Sequence, residues 1–295
     1  MYNLSSSPSL TNVIFSDNSA PSFSLGSGSY LCGCGGGMDN YYSRPFLTNV
    51  TFSSNHGTFP GGGMYNYESS PTLMDVTFIT NSSADGGGMC NDNSNPTLTD
   101  VTFSGNSATY AGGMENFESS PSLTNVTFSG NSVNSSWTDP DFSGGGMGNY
   151  ESNPRLTNVT FSGNSASYNG GGMYNEFSNP QISNTIFWGN TASNAGAQID
   201  NESSSSPSVS YSVVQGGYAA GTHIITTDPM LGTLGDYGGF TQTIPLLPGS
   251  YAIDTGNDTA CPAIDQRGVS HPQGYCDIGA FEAIIYSIYL PLILR

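Results

Sequence analysis

The chain has 295 residues, of which only 9% are charged, and four basic side chains against 22 acidic ones leave a formal charge of −18. So acidic a chain has no basic patch from which to release phosphate counterions, which excludes nucleic acid, and it is repelled by an anionic membrane surface. The 39 glycines and abundant Ser, Thr and Asn would suit disorder, but 12% aromatics set in a strict period do not.

The N-terminus, Met1-Tyr2-Asn3, lacks the basic and then apolar stretch of a signal peptide. It is in register with Met38-Asp39-Asn40, so the chain starts inside a repeat unit. A first coil without a cap exposes backbone donors and acceptors, which leaves two readings: a cap missing from this chain, or a second subunit over the open end.

From there one unit recurs. Its phenylalanine falls at Phe15, Phe52, Phe78, Phe103, Phe128, Phe161 and Phe187, and a Gly-Gly-Met string places Met38, Met64, Met89, Met114, Met147 and Met173 in the same order. Gln198 is read as the Met position of a decayed eighth copy. The unit is about 25 residues, with insertions near 20–34 and 133–143. Gly, Pro and Asn punctuate each unit and no 3.6-residue stripe is present, so helical solenoids are excluded. Val101 and Phe103 alternate with Thr102 as in a short half-buried strand, and three such strands with turns complete one coil. The fold expected is all-β: a right-handed parallel β-helix over 1–215.

Stacking places like residues over one another. Leu47, Leu73, Leu98, Leu123 and Leu156 form an interior column beside the Phe and Met columns. Three asparagine sets, headed by Asn12, Asn18 and Asn3, are expected to make turns and amide ladders. An outward Thr column (Thr51, Thr77, Thr102, Thr127, Thr160), broken by Ile14 and Ile186, is too narrow for an ice-binding face. The Gly pairs lack a following Lys-Ser or Lys-Thr, so they are turns and not phosphate loops.

The pairing of Phe103-Ser-Gly-Asn106 with Gly112-Gly-Met114 resembles the repeats of the chlamydial polymorphic outer-membrane proteins, with Met where that family has Ala-Ile or Ala-Leu. The resemblance covers residues 1–200 and implies a β-helix passenger with a role in adhesion. Farther on, Asp228-Pro-Met-Leu, Gly238-Gly-Phe-Thr-Gln-Thr, Asp265-Gln-Arg-Gly268 and Cys276-Asp-Ile-Gly-Ala-Phe-Glu282 are similar to the choice-of-anchor Q region. That resemblance implies a bacterial surface or secreted protein and a capping region, 216–283, that continues the β-helix. An apolar tail, 284–295, follows.

Candidate sites are few. Cys261 and Cys276 are spaced to bridge a short loop, and Cys32, Cys34 and Cys90 leave one cysteine over. Asp254, Asp258, Asp265, Asp277 and Glu282 surround Arg267; an Arg–carboxylate brace is the first reading, and calcium on Asp254, Asp258 and Asp265 the second. No other cofactor is expected. Tyr41, Tyr67, Phe117, Tyr150 and Phe177 are read as one lateral aromatic strip, either covering coil edges or contacting a glycan or protein. Glu68, Glu118, Glu151 and Glu202 are read as one acidic turn position. His56, His223 and His271 suggest neither a triad nor a metal cluster.

With scattered acids and no lysine, no catalytic residue is assigned and no enzyme is expected. The function expected is a non-enzymatic structural or adhesin-like protein at the cell surface or outside the cell. One alternative is a filament subunit joined head to tail through Ile284, Ile285, Ile288, Leu290, Leu292 and Leu294; a lesser one is a β-helix that binds or cleaves polysaccharide. Partners are therefore the chain itself or a surface glycan, with no transmembrane segment.

Overall fold

A computed structural model describes residues 1–24, 30–31, 34–134, 144–202, 204–271 and 275–284. Most of the second insertion, Cys32 and the tail positions Ile285, Ile288, Leu290, Leu292 and Leu294 lie outside these residues.

Three parallel sheets run the length of the coil stack, one strand of each per coil. The eight-stranded sheet carries the short strands Tyr2–Leu4 to Ile199–Asn201 and is here called the Met sheet. The ten-stranded Phe sheet carries strands such as Phe46–Ser53 and Thr97–Ser104, and a seven-stranded sheet of very short strands closes the section. Register is kept from coil to coil: Leu98 faces Leu73 and Leu123, and Phe103 faces Phe78 and Phe128. The chain is an all-β parallel β-helix.

The interior is a set of single-residue columns, fully buried for Leu73, Val76, Phe78 and Met64 and their neighbours. The phenylalanine rings stack with centroids 4.6–5.0 Å apart and planes within 6°, which is the coil rise itself. Leu98 and Val101 both point inward although strand alternation would oppose them. Between them Asp100 has φ +56, and its column mates from Asn12 to Asn184 all lie between +49 and +57. This left-handed residue bends the strand and resets its phase, which is why Asn or Asp holds the position.

The other two asparagine sets are buried ladders. Asn3, Asn40, Asn66 and on to Asn175 each donate Nδ2 to the Oδ1 one coil on, at 2.7–2.9 Å, and the ladder ends on Asn201. In the second set Asn81 spends its whole amide: Nδ2 donates to Asn106 Oδ1 and to Phe52 O, and Oδ1 accepts from the backbone and side chain of Asn55. A buried amide with every bond made costs nothing to keep inside and is expensive to disturb. Gln198 terminates this ladder, accepting from Asn190 Nδ2 at 2.7 Å; Ile199, not Gln198, pairs with Met173. The glycine before each Met is required by close approach. A Cβ on Gly63 would stand 2.6 Å from Gly88 O and 2.8 Å from the Phe78 ring.

The expected continuation of the β-helix to 283 stops at Thr222–Ile225, the last strand of the Phe sheet. The chain then folds back over the outer face of that sheet as an irregular cover. Gln266 donates to Thr102 Oγ1 at 2.8 Å and to Thr241 Oγ1 at 2.9 Å, and accepts from Thr127 Oγ1 at 2.7 Å. Ala280 N–H donates to Thr160 Oγ1 at 3.1 Å. Where Ile186 and Val213 replace Thr in the column, they pack with Leu246, Ala252 and Ile278 into a second small core. The Thr column from Thr102 to Thr160 is thus buried, whereas Ile14 at the other end is exposed.

Candidate functional site

The outer face of the Met sheet holds the residues that depart from the repeat; of these Tyr65, Cys90, Glu115 and Tyr174 are buried, and Tyr41, Tyr67, Phe117 and Tyr150 are half-buried. Each strand buries Met and Asn and turns the two residues between and after them outward. In register, the first outward column reads Tyr2, Asp39, Tyr65, Cys90, Glu115, Gly148, Tyr174 and Asp200. The second reads Leu4, Tyr41, Tyr67, Asp92, Phe117, Tyr150 and Glu176.

Of the five residues expected in one strip, Tyr41, Tyr67, Phe117 and Tyr150 share the second column and Phe177 does not. Tyr41 and Tyr67 pack at 5.4 Å, and Phe117 and Tyr150 stack at 5.0 Å with planes 6° apart. Asp92 interrupts the strip, and Glu176, not Phe177, is the mate of Tyr150. Phe177 follows Asn175 by two residues and sits in the adjacent turn with φ +49, where it meets Tyr150 edge-on at 5.9 Å. Glu68, Glu118 and Glu151 occupy that same left-handed turn, with φ +46 to +47. Glu202 follows Asn201 directly, one position short of the Glu68 phase, so it is not of this set.

Beside the strip lies a recess of about 230 Å³ lined by Pro60, Tyr65, Asp85, Cys90, Asp92, Glu115 and Phe117. Burial, and then the charge of Asp85, hold the Glu115 carboxyl well above the usual carboxylate range. Burial and the neighbouring Glu115 push the Cys90 thiol up, and its Sγ donates to Glu115 Oε2 at 3.7 Å. Tyr65 donates to Asp92 Oδ2 at 3.3 Å, and burial raises both Tyr65 and Asp85. Burial thus favours the neutral, protonated form of Glu115, Asp85, Tyr65 and Cys90, and a thiol kept protonated is a poor nucleophile. Sequence reasoning passed over Asp85, Asp92 and Glu115. For Glu115 the signal was available: the column after Met changes residue type at almost every coil, whereas Asp92 stands in the second column and Asp85 in the third sheet.

The C-terminal acids form a brace. Arg267 donates to Asp265 Oδ2 through Nε at 2.8 Å and Nη2 at 2.6 Å, reaches Glu282 O at 2.5 Å, and lies 3.5 Å over the Phe281 ring. Asp265 Oδ1 accepts from Arg267 and Val269 N–H, and Asp258 Oδ1 from Cys276 N–H. Asp254 is exposed and gives its own N–H to Asp277. Asp254, Asp258 and Asp265 do not converge, so the calcium reading has no preformed ligand set. Among the described residues, the group that does converge is Cys261, His271 and Cys276, with the two cysteines joined as a disulfide. Cys34 is also disulfide-bonded, and Cys90 is a free, buried thiol.

Among the described residues no helix is long and apolar enough to cross a membrane, which does not bear on strands of a barrel. No curated protein and no solved structure matches the chain. Residues 158–176 match the family model of the Chlamydia polymorphic membrane protein repeat. The matched stretch runs from the left-handed Asn158 through the buried Phe161 and Asn164 to Met173 and Asn175. It does not touch the C-terminal cover. In this one coil, the chain is similar to the repeat of the chlamydial polymorphic membrane proteins.

Proposed function

We propose that this chain is a surface β-helix that holds a polysaccharide along the half-exposed ring column of its Met sheet, without cleaving it. The observation that carries this reading is the adjoining of ring pairs, Tyr41–Tyr67 and Phe117–Tyr150, to a recess with carboxyl, phenol and thiol groups. Rings offer flat apolar faces to sugar C–H groups, while carboxyls and phenols take sugar hydroxyls. The net charge of −18 favours a neutral or amino-sugar polymer over an acidic one. The likeness to a surface-protein repeat and the Cys261–Cys276 disulfide fit display in an oxidising compartment.

Affinity electrophoresis against neutral, amino and acidic polysaccharides tests this. Retention is expected for at least one neutral or amino polymer, and it should be lost in the triple variant Tyr67→Ala/Phe117→Ala/Tyr150→Ala. Equal retention of the variant would move the site elsewhere. Release of reducing ends that Glu115→Gln abolishes would instead make the recess catalytic.

A further inference from the structure

We propose that the Cys261–Cys276 disulfide is the locked form of a zinc site, completed by His271 and opened by reduction. His271 has a side chain only 6% exposed. Its Nδ1 lies against Glu282 Oε2, and its Nε2 is buried with no hydrogen-bond partner. An unpaired buried ring nitrogen is costly and calls for a reason. One ring nitrogen and both sulfurs lie within 4.8 Å of one another. A carboxylate on one imidazole nitrogen orients the other for a metal, the usual support for a histidine ligand. Glu282 is itself held by Asp277 N–H at 3.2 Å.

A sulfur in a disulfide is no thiolate and binds zinc poorly. A phosphine or thiol reductant supplies two electrons; with two protons the S–S bond becomes two thiols, and the reductant leaves as phosphine oxide (its oxygen from water) or as a disulfide. Zinc then displaces both thiol protons and takes Cys261 Sγ, Cys276 Sγ and His271 Nε2, a three-ligand set that leaves the fourth position to water. Cys261 is half-buried at the surface, so reductant and ion have access, while Cys276 is buried.

The test uses the full chain with Cys90→Ser, oxidised or reduced with a phosphine, in equilibrium dialysis against zinc and in cobalt(II) titration. One extra ion per chain is expected after reduction, with a thiolate-to-cobalt absorption band. His271→Ala, which leaves the disulfide intact, should weaken that binding at least about tenfold, and Glu282→Gln by about 10–100-fold. Equal uptake before and after reduction, or full affinity in His271→Ala, would overturn the proposal. Loss of folded structure on reduction that zinc does not restore would overturn it as well.

Discussion

The Phe sheet and the Met sheet are laid down by the same coils at the same rise, yet the chain's own C-terminal segment roofs the first, while on the second the rings of one outward column stay half-exposed beside a buried one. Their outward columns explain the difference. The Phe sheet presents Thr at coil after coil, a regular row of small hydroxyls that Gln266, Thr243 and Ala280 N–H can bond, ending in an apolar patch at Ile186 and Val213. The Met sheet presents rings, acids and a thiol in irregular order, which no single segment could match along its length. Uniform outward columns invite one continuous cover, whereas the varied Met-sheet columns mix buried groups such as Glu115 and Tyr174 with half-exposed rings.

The interior shared by both sheets carries the largest expected effects. Asn106→Ala strands the backbone and side-chain donors of Asn81 and the carbonyl of Phe78. At about 1–3 kcal/mol for each buried group left unpaired, a loss on the order of 3–6 kcal/mol is expected in urea titration. Phe103→Ala removes a ring from the middle of the stack and should cost about 3–5 kcal/mol through transfer and cavity terms. A loss below about 1 kcal/mol from either would mean that the columns are not close-packed.

These columns were legible because each repeats one residue type in phase, so Leu, Phe, Met and both Asn ladders could be read before any coordinates. A further column was passed over: Ser43, Ser69, Ser94, Ser119 and Ser152 each accept from the backbone one coil away, for example Ser43 N–H to Ser69 Oγ at 2.9 Å. Serine is so common in this chain that its periodicity did not stand out. Phe177, Glu202 and Gln198 were each placed one step out of phase, because residue type was matched where spacing from the ladder asparagine decides. The fold-back was not legible at all. Gln266 meets Thr102 across 164 residues, and nothing periodic links the two. The meeting of His271 with two cysteines is hidden for the same reason.

Mutations in the cover separate the two faces. Gln266→Ala leaves the hydroxyls of Thr102, Thr127 and Thr241 short of partners and should cost about 1–3 kcal/mol, with the Phe sheet exposed to proteolysis at the cover first. If stability does not change, the cover is not bonded to the Thr column as described.

The cover also sets a pH dependence. Burial raises Asp100 to about 6, above its ordinary range. The folded state therefore holds its proton more tightly than the unfolded one, so stability falls as pH rises from about 4 to 6 and stays low above. Asp100→Asn, the residue its neighbours Asn125 and Asn158 already carry, should add about 1–2 kcal/mol at pH 8 and nothing at pH 4. Thermal melts at the two pH values check this, and an equal gain at both would rule out the titration. The smallest effect belongs to the half-exposed rings of the Met sheet. Phe117→Ala should change stability by less than about 1 kcal/mol while weakening polysaccharide retention, because its ring is not part of the core.

Hydrogen–deuterium exchange tests the division of the two faces most directly. The amides of Asp265, Gln266, Ile278, Gly279 and Ala280 all donate within the cover or to the coils beneath it. They should exchange as slowly as the Phe-sheet strands, and Gln266→Ala should speed them without touching the Met sheet. Complete exchange of 264–283 at the first time point, with the coils still protected, would show a loosely tethered segment and an open Thr face, and would contradict the division.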